Sequence, residues 1–558
     1  MRNVKDPFVC PELSRAQALS VEPTRFLILG LGESGIAMAK WCLRHGAQTR
    51  LLDTRKRSTL NEKQRAQLSE FEFAGLTDMH FGSWDASMLD RIDVIGISPG
   101  LAPIAEPAQS ILAAAQEKGI PVWSEIEFFA RGIAALERES IAEAVDHEGW
   151  TYQPKVIAIT GTNGKTTTTA LVGQLCERAG KTVAVAGNIS PAALDKLMAC
   201  LDSADGLRDL PELWVLELSS FQLHFTYSLN PSAATVLNLS QDHLDWHGDM
   251  QAYATAKAAI FGPSSICIVN RDEVELNRLL SSQLEDRQII HFGSSRPDEP
   301  GSFGIERDPQ AGGIDWLVWA EVDEDAELEK PRRRRKVVAA EAEAEPLRVK
   351  RLIPADALRI RGKHNALNAL AALALARAVG LPLNKLLHGL REYRGEPHRV
   401  QSVAVIRDVE YVDDSKGTNV GATVAALNGL GDTAGSKKIW LIAGGDGKGQ
   451  DFSPLFDPVQ RFAKGVLLIG KDAPRIAGAL QATGVAVECC ETIAVAVKTA
   501  SERAASGDVV LLSPACASFD QFKDYVHRAA VFVSEVEELG MQFSGPSLEV
   551  DCSSGVSA

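Results

Sequence analysis

Short apolar runs alternate with stretches of helical periodicity along most of the chain. The first run, at residues 25–29, leads into a glycine-rich turn, a helical stretch at 36–45 and a second strand at 50–52. Continuous apolar runs are typical of strands that are buried on both faces, and helices between them favour parallel pairing of those strands. The pattern therefore predicts an α/β protein built on mainly parallel sheets.

The same pattern restarts twice, which predicts three domains. A chain of 558 residues also exceeds what one hydrophobic core usually serves. The restarts place the domains at residues 1–124, 125–395 and 396–558. Further strands are predicted at 93–97 in the first domain, at 156–159, 214–216 and 234–237 in the second, and at 403–406, 439–443, 466–469 and 509–512 in the third.

A charged segment interrupts the second domain between about residues 294 and 351 and lacks periodicity. It carries an acidic run at 321–329, a basic run at 332–336 and then an Ala/Glu stretch. A basic run alone can be a nuclear address or a polyanion-binding patch. Because acids flank this run on both sides, we interpret the segment as a solvated, self-neutralising insertion.

The composition, with 45% apolar and 23% charged residues, is that of a globular protein. The formal charge of −15 argues against general binding of nucleic acid, which is itself a polyanion. Residues 1–25 lack the apolar centre of a secretory signal, and no run of about 18 apolar residues predicts a membrane span. The nine scattered cysteines include no C-x-x-C pair, which is typical of reduced thiols. We therefore expect a cytoplasmic protein with neither nucleic acid nor a membrane as a partner.

The sharpest chemical signal is a glycine-lysine loop between a strand and a helical run at 170–178. A glycine turn lets backbone N–H groups approach phosphate oxygens, the helix N-terminus adds a favourable dipole, and lysine adds a positive charge. The loop is shorter than the usual pattern because Ile159 stands where a glycine is expected, and a turn without a ligand is the alternative. The predicted nucleotide-binding residues are Gly161, Thr162, Asn163, Gly164, Lys165, Thr166 and Thr167. The hydroxyls of Thr166 and Thr167 can reach a magnesium ion.

Polar residues follow later strands of the same predicted sheet. Glu217 closes one strand and could bind the magnesium of a nucleotide, although a solvated strand end is as frequent. His243 follows the next strand, where α/β proteins bind ligands, but a lone loop histidine is more often a surface residue. Lys257 lies in a helical pattern and would ordinarily be solvated. The residue pattern leaves these alternatives open.

A second glycine-rich turn, at residues 30–35, follows the first strand and matches G-x-G-x-x-G. It predicts a diphosphate cradle, with Asp53 at the end of the next strand in the position of a ribose ligand. The pattern does not say which nucleotide binds. A nicotinamide-dependent oxidoreductase and a nucleotide-binding module without catalysis therefore stay as alternatives to an ATP-dependent enzyme.

Taken together, the motifs resemble the Mur ligase family of peptidoglycan synthesis, and within it the branch that adds D-glutamate. The resemblance implies an N-terminal Rossmann-like domain for a UDP-linked substrate, a central P-loop ATPase-like domain, and a C-terminal Rossmann-like domain that binds the amino acid and closes on ATP. It extends from about residue 26 to residue 530. The matching stretches are 161–166, 187–189, 217–223, 242–245, 256–257, 362–365 with Asn368, 397–399, 414–419, 444–448 and 512–522.

The resemblance implies roles for the central residues. Lys165, Glu217, His243 and Lys257 match catalytic positions of the family. Lys257 is similar to a lysine that these enzymes carbamylate, which turns an amine into a carboxylate-like ligand. With Thr166, Glu217 and His243 it would hold magnesium, in two sites. Further contacts to ATP are implied for Asn365, Asn368, Arg399 and Asp414.

The implied substrates are UDP-N-acetylmuramoyl-L-alanine and D-glutamate, handled by a monomer. ATP would phosphorylate the carboxylate of the first, and the amine of the second would then displace phosphate. Asn163 argues against the branch that adds L-alanine, where histidine is usual, and the late D-N-P-R motif of the diamino-acid branches is missing. The UDP-linked substrate would contact Gly32, Ser34, Gly35, Thr54, Arg55, Asn188 and His243, and D-glutamate would contact Lys416, Thr418, Ser518, Phe519 and Tyr525.

Overall fold

The computed structural model describes residues 24–143, 149–309, 313–323, 346–434 and 438–543. These residues form two compact units. The first unit holds residues up to 239, 243–357 and 367–393, and the second holds 240–242, 358–366 and the chain from 394 onward. No described helix is both long and apolar enough to cross a membrane.

The first sheet of the first unit is fully parallel, with strand order β3-β2-β1-β4-β5. From β1 the chain continues to β2 and β3 on one side, and it then crosses to β4 and β5 on the other side of β1. The strand order therefore reverses between β1 and β4, and sheets of this kind bind ligands at the carboxyl ends of the two strands at that point. The strands are β1 (Arg25–Leu29), β2 (Gln48–Asp53), β3 (Met79–Phe81), β4 (Val94–Ile97) and β5 (Val122–Trp123), and the helices are Glu33–Arg44, Glu62–Phe73, Ala108–Lys118 and Glu125–Glu143.

The second sheet is also parallel, with strand order β11-β10-β9-β6-β8-β7. Its apolar strands are buried on both faces, as the continuous apolar runs predict. The strands are β6 (Lys155–Thr160), β7 (Val183–Gly187), β8 (Leu213–Glu217), β9 (Ala233–Val236), β10 (Ile266–Asn270) and β11 (Ile289–Phe292). The helices after them are Lys165–Arg178, Ala193–Ser203, Ser220–His224, Leu244–His247, Met250–Ala258, Val274–Leu279, Ser281–Leu284, Lys363–Ala378 and Leu383–Glu392.

A third, antiparallel sheet corrects our interpretation of the charged segment. It consists of β12 (Phe303–Asp308), β13 (Ile314–Val322) and β14 (Leu347–Pro354), so the ends of the segment are regular structure, and the prediction of an aperiodic insertion is wrong there. β14 begins with an alternation of apolar and charged residues that is typical of a strand with one solvated face, but the high charge of the whole segment led to its interpretation as an insertion. The basic run at 332–336 and most of the acidic run lie outside the described residues.

The second unit contains one sheet with strand order β15-β16-β20-β17-β18-β19. Only the edge pair β15 and β16 is antiparallel. The strands are β15 (Gln401–Ile406), β16 (Val409–Asp413), β17 (Ile439–Gly444), β18 (Ala463–Ile469), β19 (Ala486–Cys489) and β20 (Val509–Leu512), and the helices are Val420–Ala434, Phe456–Phe462, Ala473–Leu480, Ile493–Arg503 and Tyr525–Phe543. Every strand predicted in the three domains is present, which confirms the predicted α/β fold class.

Candidate active site

The glycine-lysine loop lies at the carboxyl end of β6 and leads into the helix Lys165–Arg178. Gly161 and Gly164 have φ angles of +152° and +81°, which side chains other than glycine rarely adopt. A Cβ atom at Gly164 would lie 2.5 Å from the Oδ1 atom of Asn368, so this turn has room only for glycine. Asn368, which we predict to contact ATP, therefore lies against the loop.

Sequence reasoning did not single out Asn238, which fixes the same loop. The backbone N–H of Asn163 donates to Asn238 Oδ1 at 2.8 Å, and Asn238 Nδ2 donates back to the Asn163 carbonyl at 3.1 Å. The N–H of Thr162 donates to the Asn238 carbonyl at 3.1 Å. Asn238 follows β9, which pairs with β6, and that adjacency is the signal that could have identified it.

Lys165 is the first residue of the helix, and its ammonium lies over the loop. Its Nζ atom donates to the carbonyls of Gly161 and Thr162 at 2.9 and 2.7 Å. The positive charge and the helix N-terminus therefore coincide, an arrangement that stabilises bound phosphate. Thr166 and Thr167 follow in the first turn of the helix, with the Thr167 side chain buried.

Glu217 ends β8 beside the loop strand and is 2% exposed. Its Oε1 atom accepts a hydrogen bond from Asn188 Nδ2 at 2.8 Å. Its Oε2 atom is buried and has no hydrogen-bond partner among the described residues. A buried carboxylate oxygen without a partner is costly, so this atom is suited to contact a bound cation.

Lys257 lies in the helix Met250–Ala258 and is 1% exposed. The predicted helix is confirmed, but the expectation that the Lys257 side chain is solvated is wrong. Its Nζ atom donates to the Gly161 carbonyl at 2.9 Å and lies 4.6 Å from the centre of the Tyr253 ring. The Lys257 amine therefore lies at the carboxyl end of β6. Glu217, at the end of the neighbouring strand β8, pairs with Ile159 of β6 at the same edge of the sheet.

His243 has a φ angle of +56° at the start of the helix Leu244–His247. Its ring packs edge-on against Phe221, with 4.7 Å between ring centres, and lies 6.2 Å from the ring of Tyr253. No three described Asp, Glu, His or Cys side chains form a group that could hold a metal.

A cavity of about 400 Å³ opens at the carboxyl ends of β1, β2 and β4. It brings the turn at residues 30–35 together with Asn188, which follows β7 of the second sheet. A Cβ atom at Gly35 would lie 1.9 Å from the Gly30 carbonyl, so the turn requires glycine there. All of the residues that we predict to bind the UDP-linked substrate line this cavity except Gly35 and His243: Gly32, Ser34, Thr54, Arg55 and Asn188.

Asp53 lines the cavity but is almost wholly buried, and its carboxylate accepts hydrogen bonds from neighbouring residues. Its predicted contact to a ribose stays a prediction. Arg55 donates to both carboxylate oxygens, through Nε at 2.8 Å and Nη2 at 2.7 Å, and the Leu31 N–H donates at 2.7 Å. Burial raises the pKa of Asp53, but these hydrogen bonds outweigh it and hold the pKa below its ordinary value. Asp53 and Arg55 therefore form an ion pair in the wall of the cavity.

The start of the helix Glu125–Glu143 connects the two parallel sheets. Ser124 Oγ is 2.7 Å from Thr226 Oγ1, and Glu127 accepts from the N–H groups of Tyr227 and Ser228, both at 2.8 Å. Glu125 accepts from the Leu194 N–H at 2.6 Å, at the start of the helix that follows Asn188. Burial raises the pKa of Glu125 to about 8.

Asp414, Arg399 and Asn365, which we predict to contact ATP, lie in the second unit. Asp414 is 6% exposed and accepts from Ser513 Oγ at 2.6 Å and from the Val400 N–H at 3.3 Å. Burial raises the pKa of Asp414 to about 7, against the opposing effect of Ser513 and of the positive charge on Arg399. Asn365, also in this unit, donates to the Arg361 carbonyl at 2.8 Å.

The residues that we predict to bind D-glutamate come from three segments of the second unit. Lys416 Nζ donates to the hydroxyl of Tyr525 at 2.8 Å and lies 4.0 Å from the centre of its ring. Thr418 follows Lys416 in the same loop, and its N–H donates to the Lys416 carbonyl at 2.9 Å. Ser518 is buried, whereas Phe519 is 70% exposed. The structure therefore joins Lys416 to Tyr525 and leaves Phe519 at the surface of its unit.

A phosphate loop beside an unpaired carboxylate oxygen and a separate nucleotide-sized cavity define the class of α/β nucleotide-dependent enzymes. A model of the Mur ligase middle domain matches residues 159–376, one of the Mur ligase glutamate ligase domain matches residues 398–516, and one of the MurD-like N-terminal domain of Mur ligases matches residues 24–124. The chain belongs to the Mur ligase family. The family, the three-domain α/β fold and the ligase activity predicted from the sequence are confirmed, and ATP is the nucleotide of this family. The boundaries at residues 124 and 395 stay predictions.

Two relatives are similar over most of their length, and both are named UDP-N-acetylmuramoylalanine--D-glutamate ligase. The relative from Cupriavidus pinatubonensis is 56% identical over 519 residues, which are 92% of this chain and 97% of the relative. The relative from Ralstonia nicotianae is 53% identical over 513 residues, 92% of this chain and 96% of the relative. A solved UDP-N-acetylmuramate-alanine ligase from Thermotoga maritima is 18% identical, with a TM-score of 0.49 over 92% of this chain and 99% of that chain.

Proposed function

We propose that this ligase uses ATP to form an amide between UDP-N-acetylmuramoyl-L-alanine and D-glutamate, through an acyl-phosphate intermediate. The reaction class rests on one observation, the meeting of the Lys165 ammonium, the unpaired Glu217 oxygen and the buried Lys257 at the end of β6. The choice of substrates is supported by the names of relatives that are 56% and 53% identical to this chain.

The first step brings together two anions, the substrate carboxylate and the triphosphate of ATP. Electrostatic repulsion between them therefore contributes to the activation barrier. The substrate carboxylate attacks the γ-phosphorus of ATP, and ADP leaves. Lys165 and the backbone N–H groups at the helix N-terminus bind the phosphate oxygens, while the rigid loop held by Asn238 keeps them aligned. Because a carboxylate is a poor electrophile, phosphorylation supplies the leaving group that the second step requires.

Magnesium fits the residues at this sheet edge. Glu217 Oε2, the Thr166 hydroxyl, His243 and a carbamate formed from CO2 on Lys257 would supply mostly oxygen donors, which hard cations prefer. Bound in two sites, the ions would neutralise negative charge on the triphosphate and on the attacking carboxylate. Carbamylation gives a physical reason for burying a lysine where cations are to be held.

In the second step the amine of D-glutamate attacks the acyl carbon and phosphate leaves. The substrate ammonium gives up two protons as the amide forms: the departing phosphate takes up one, and the other goes to solvent. Lys416, Thr418, Ser518, Phe519 and Tyr525 would bind the two carboxylates of D-glutamate, and Asn365, Asn368, Arg399 and Asp414 would bind ATP. The described cysteines are free thiols, which supports a reducing compartment, and we propose a cytoplasmic monomer.

Phosphate release tests the substrate assignment. The purified chain is supplied with Mg-ATP and UDP-N-acetylmuramoyl-L-alanine, and D-glutamate is compared with L-glutamate, L-alanine and a diamino acid. We expect phosphate only with D-glutamate. Release with another amino acid would reassign the branch of the family, and an absorbance change with a nicotinamide cofactor would point to the oxidoreductase alternative.

Chemical rescue tests the carbamate. Lys257→Ala removes the amine, and we expect it to abolish ligation but to recover most activity in added formate or acetate, whose carboxylate can enter the space of the side chain. Lys257→Arg keeps a positive charge without a carbamylatable amine and serves as the matched control that the acids do not rescue. Equal activity of Lys257→Ala with and without the acids would contradict the carbamate.

A further inference from the structure

A fully buried arginine in the second unit is not used by the proposed mechanism. Arg528 lies in the helix Tyr525–Phe543 and is 0% exposed. Its Nη1 atom donates to the Cys516 carbonyl at 3.1 Å and its Nη2 atom to the Ser415 carbonyl at 2.9 Å. Its Nε atom is buried without a partner in the part of the chain that the structure describes.

The two carbonyls belong to the loops that carry the proposed amino-acid site. Ser415 directly precedes Lys416, and Cys516 lies two residues before Ser518. Arg528 also lies one helical turn after Tyr525, whose hydroxyl accepts from Lys416. One guanidinium therefore joins the three segments from which the predicted contacts to D-glutamate come. Its planar shape allows one side chain to hold both loops at once.

Among the described residues, Arg528 forms no ion pair, and its hydrogen bonds go to the carbonyls of Cys516 and Ser415. The acidic groups that act on it from a distance are Cys516, Asp520, Asp413 and Asp414. Burial lowers the pKa of Arg528 to about 10, so it stays protonated at neutral pH.

The three aspartates are engaged elsewhere. Asp520 accepts from the Lys471 N–H at 2.9 Å. Asp413 accepts from His398 at 2.7 Å and from the Ser415 N–H at 2.9 Å, and Asp414 accepts from Ser513. A buried charge without a carboxylate partner is a cost to folding that an apolar side chain would not carry. The field of such a charge favours an anionic ligand above it.

We propose that Arg528 is a positioning residue for the amino-acid substrate, which sets the distance between the Lys416 loop and the Ser518 loop and adds positive charge beneath the substrate carboxylates. The inference rests on the proposed function, because it takes D-glutamate as the ligand of these loops. It concerns affinity for the amino acid alone and leaves the binding of ATP and of the UDP-linked substrate to other residues.

Kinetics of the full chain with Arg528→Lys and Arg528→Gln test the proposal. Lysine keeps the charge but cannot hold both carbonyls, and glutamine keeps donors but no charge. We expect KM for D-glutamate to rise about tenfold in Arg528→Lys, where the two loops are no longer held together, and further in Arg528→Gln, where the charge is also lost. KM for UDP-N-acetylmuramoyl-L-alanine should stay within about twofold. KM for ATP should rise less than KM for D-glutamate, although Asp414, a predicted ATP contact, directly precedes Ser415.

Two controls separate positioning from stability. Arg503→Lys changes a half-exposed arginine that pairs with Glu488 in the same unit and should leave all three KM values unchanged. Guanidinium ion added at low concentration should lower KM for D-glutamate in Arg528→Ala, because it can enter the space left by the side chain, and should not do so in Arg503→Ala.

Three results would overturn the proposal: an unchanged KM for D-glutamate in both substitutions, an equal rise of all three KM values, or failure of every Arg528 substitution to fold, which would make the residue structural alone. If the wild-type chain does not release phosphate with D-glutamate, the proposed function itself fails, and that result is distinct from a variant effect on KM.

Discussion

Two glycine-rich turns in the first unit have the same local architecture and opposite surroundings. Residues 30–35 follow β1, residues 161–165 follow β6, and each turn leads directly into a helix. The first helix begins with Glu33, whereas the second begins with Lys165. The strand beside the first turn ends in Asp53, paired with Arg55, and the strand beside the second ends in Glu217, with one oxygen unpaired.

In both turns the backbone N–H groups can donate to phosphate oxygens. The charged residues at the helix start and at the end of the neighbouring strand determine which nucleotide each turn suits. Glu33 accepts from Ser190 at 2.8 Å and puts negative charge at its helix N-terminus, which opposes a triphosphate there. Lys165 and an open carboxylate at the other turn suit a metal-bound triphosphate. The first turn, with its acid already neutralised by Arg55, suits a nucleotide that arrives without a dedicated metal.

The largest expected effect is at Lys165. Lys165→Ala should lower kcat by about a thousandfold or more, because it removes the fixed positive charge that stabilises the transferring phosphoryl group. Phosphate release at saturating substrates measures it, with Lys40→Ala, on the helix of the other turn, as control. Retention of more than about a tenth of the wild-type rate, an effect of only about 1.4 kcal/mol, would refute a direct role for Lys165.

A pair of glycine substitutions tests the turns against each other. Gly164→Ala requires a φ of +81° and a Cβ atom 2.5 Å from Asn368, so we expect kcat/KM for ATP to fall about a hundredfold through misplacement of the loop. A Cβ atom at Gly32 would meet no described atom within 4 Å, and the φ angle there is −85°. Gly32→Ala should therefore fold normally and leave the kinetics with ATP unchanged. Similar losses in both variants would mean that general backbone rigidity, and not the local fit, explains the effect.

The contrast between the turns was only partly predictable from the sequence. Both turns and their strands follow from apolar runs ended by glycines, since strands buried on both faces leave a continuous signal. The pairing of Asp53 with Arg55 was missed because a pattern gives residue types and not hydrogen bonds. The unpaired Glu217 oxygen and the burial of Lys257 depend on packing between elements that are far apart in sequence.

Other features were hidden because the residue type pointed to another environment. Arg528 reads as a surface residue, since arginine is seldom fully buried, and Asn238 reads as a loop residue. The three-stranded sheet at β12, β13 and β14 was missed because the segment as a whole is highly charged, although the alternation at the start of β14 is typical of a strand. The predicted roles of individual site residues stay predictions, and experiments on the two turns can test them.

A moderate effect is expected at the first turn. Arg55→Ala leaves the buried Asp53 carboxylate without its main partner, so negative charge would face the diphosphate of the UDP-linked substrate. We expect KM for that substrate to rise about tenfold, with KM for ATP unchanged. Arg57→Ala, which removes an exposed arginine paired with Glu72, is the matched control. A rise of KM for ATP alone would reverse the assignment of the two turns.

The smallest effect on activity is expected at Glu125, between the turns. Glu125 holds the start of the helix Ala193–Ser203, and the segment before that helix carries Ser190, which binds Glu33, and Asn188, which binds Glu217. Burial raises the pKa of Glu125 from 4.5 to about 8, with the charges of Asp195 and Glu33 adding to the rise.

Because the folded pKa lies above the unfolded value, the contribution of Glu125 to stability is fully present below about pH 4.5 and is lost as pH rises toward 8. Glu125→Gln cannot ionise, so its thermal stability relative to wild type should improve with rising pH in that window, by about 1 kcal/mol per pH unit at most. Unfolding temperatures at several pH values measure the difference, and Glu117→Gln, at an exposed helix position, should show none. kcat should change less than about twofold, because Glu125 contacts the substrate loops only through the backbone of the next helix. A stability difference that does not vary with pH would mean that Glu125 is ionised in the folded protein. Its hydrogen bond to the Leu194 N–H would then be that of a charged carboxylate at the start of the helix Ala193–Ser203.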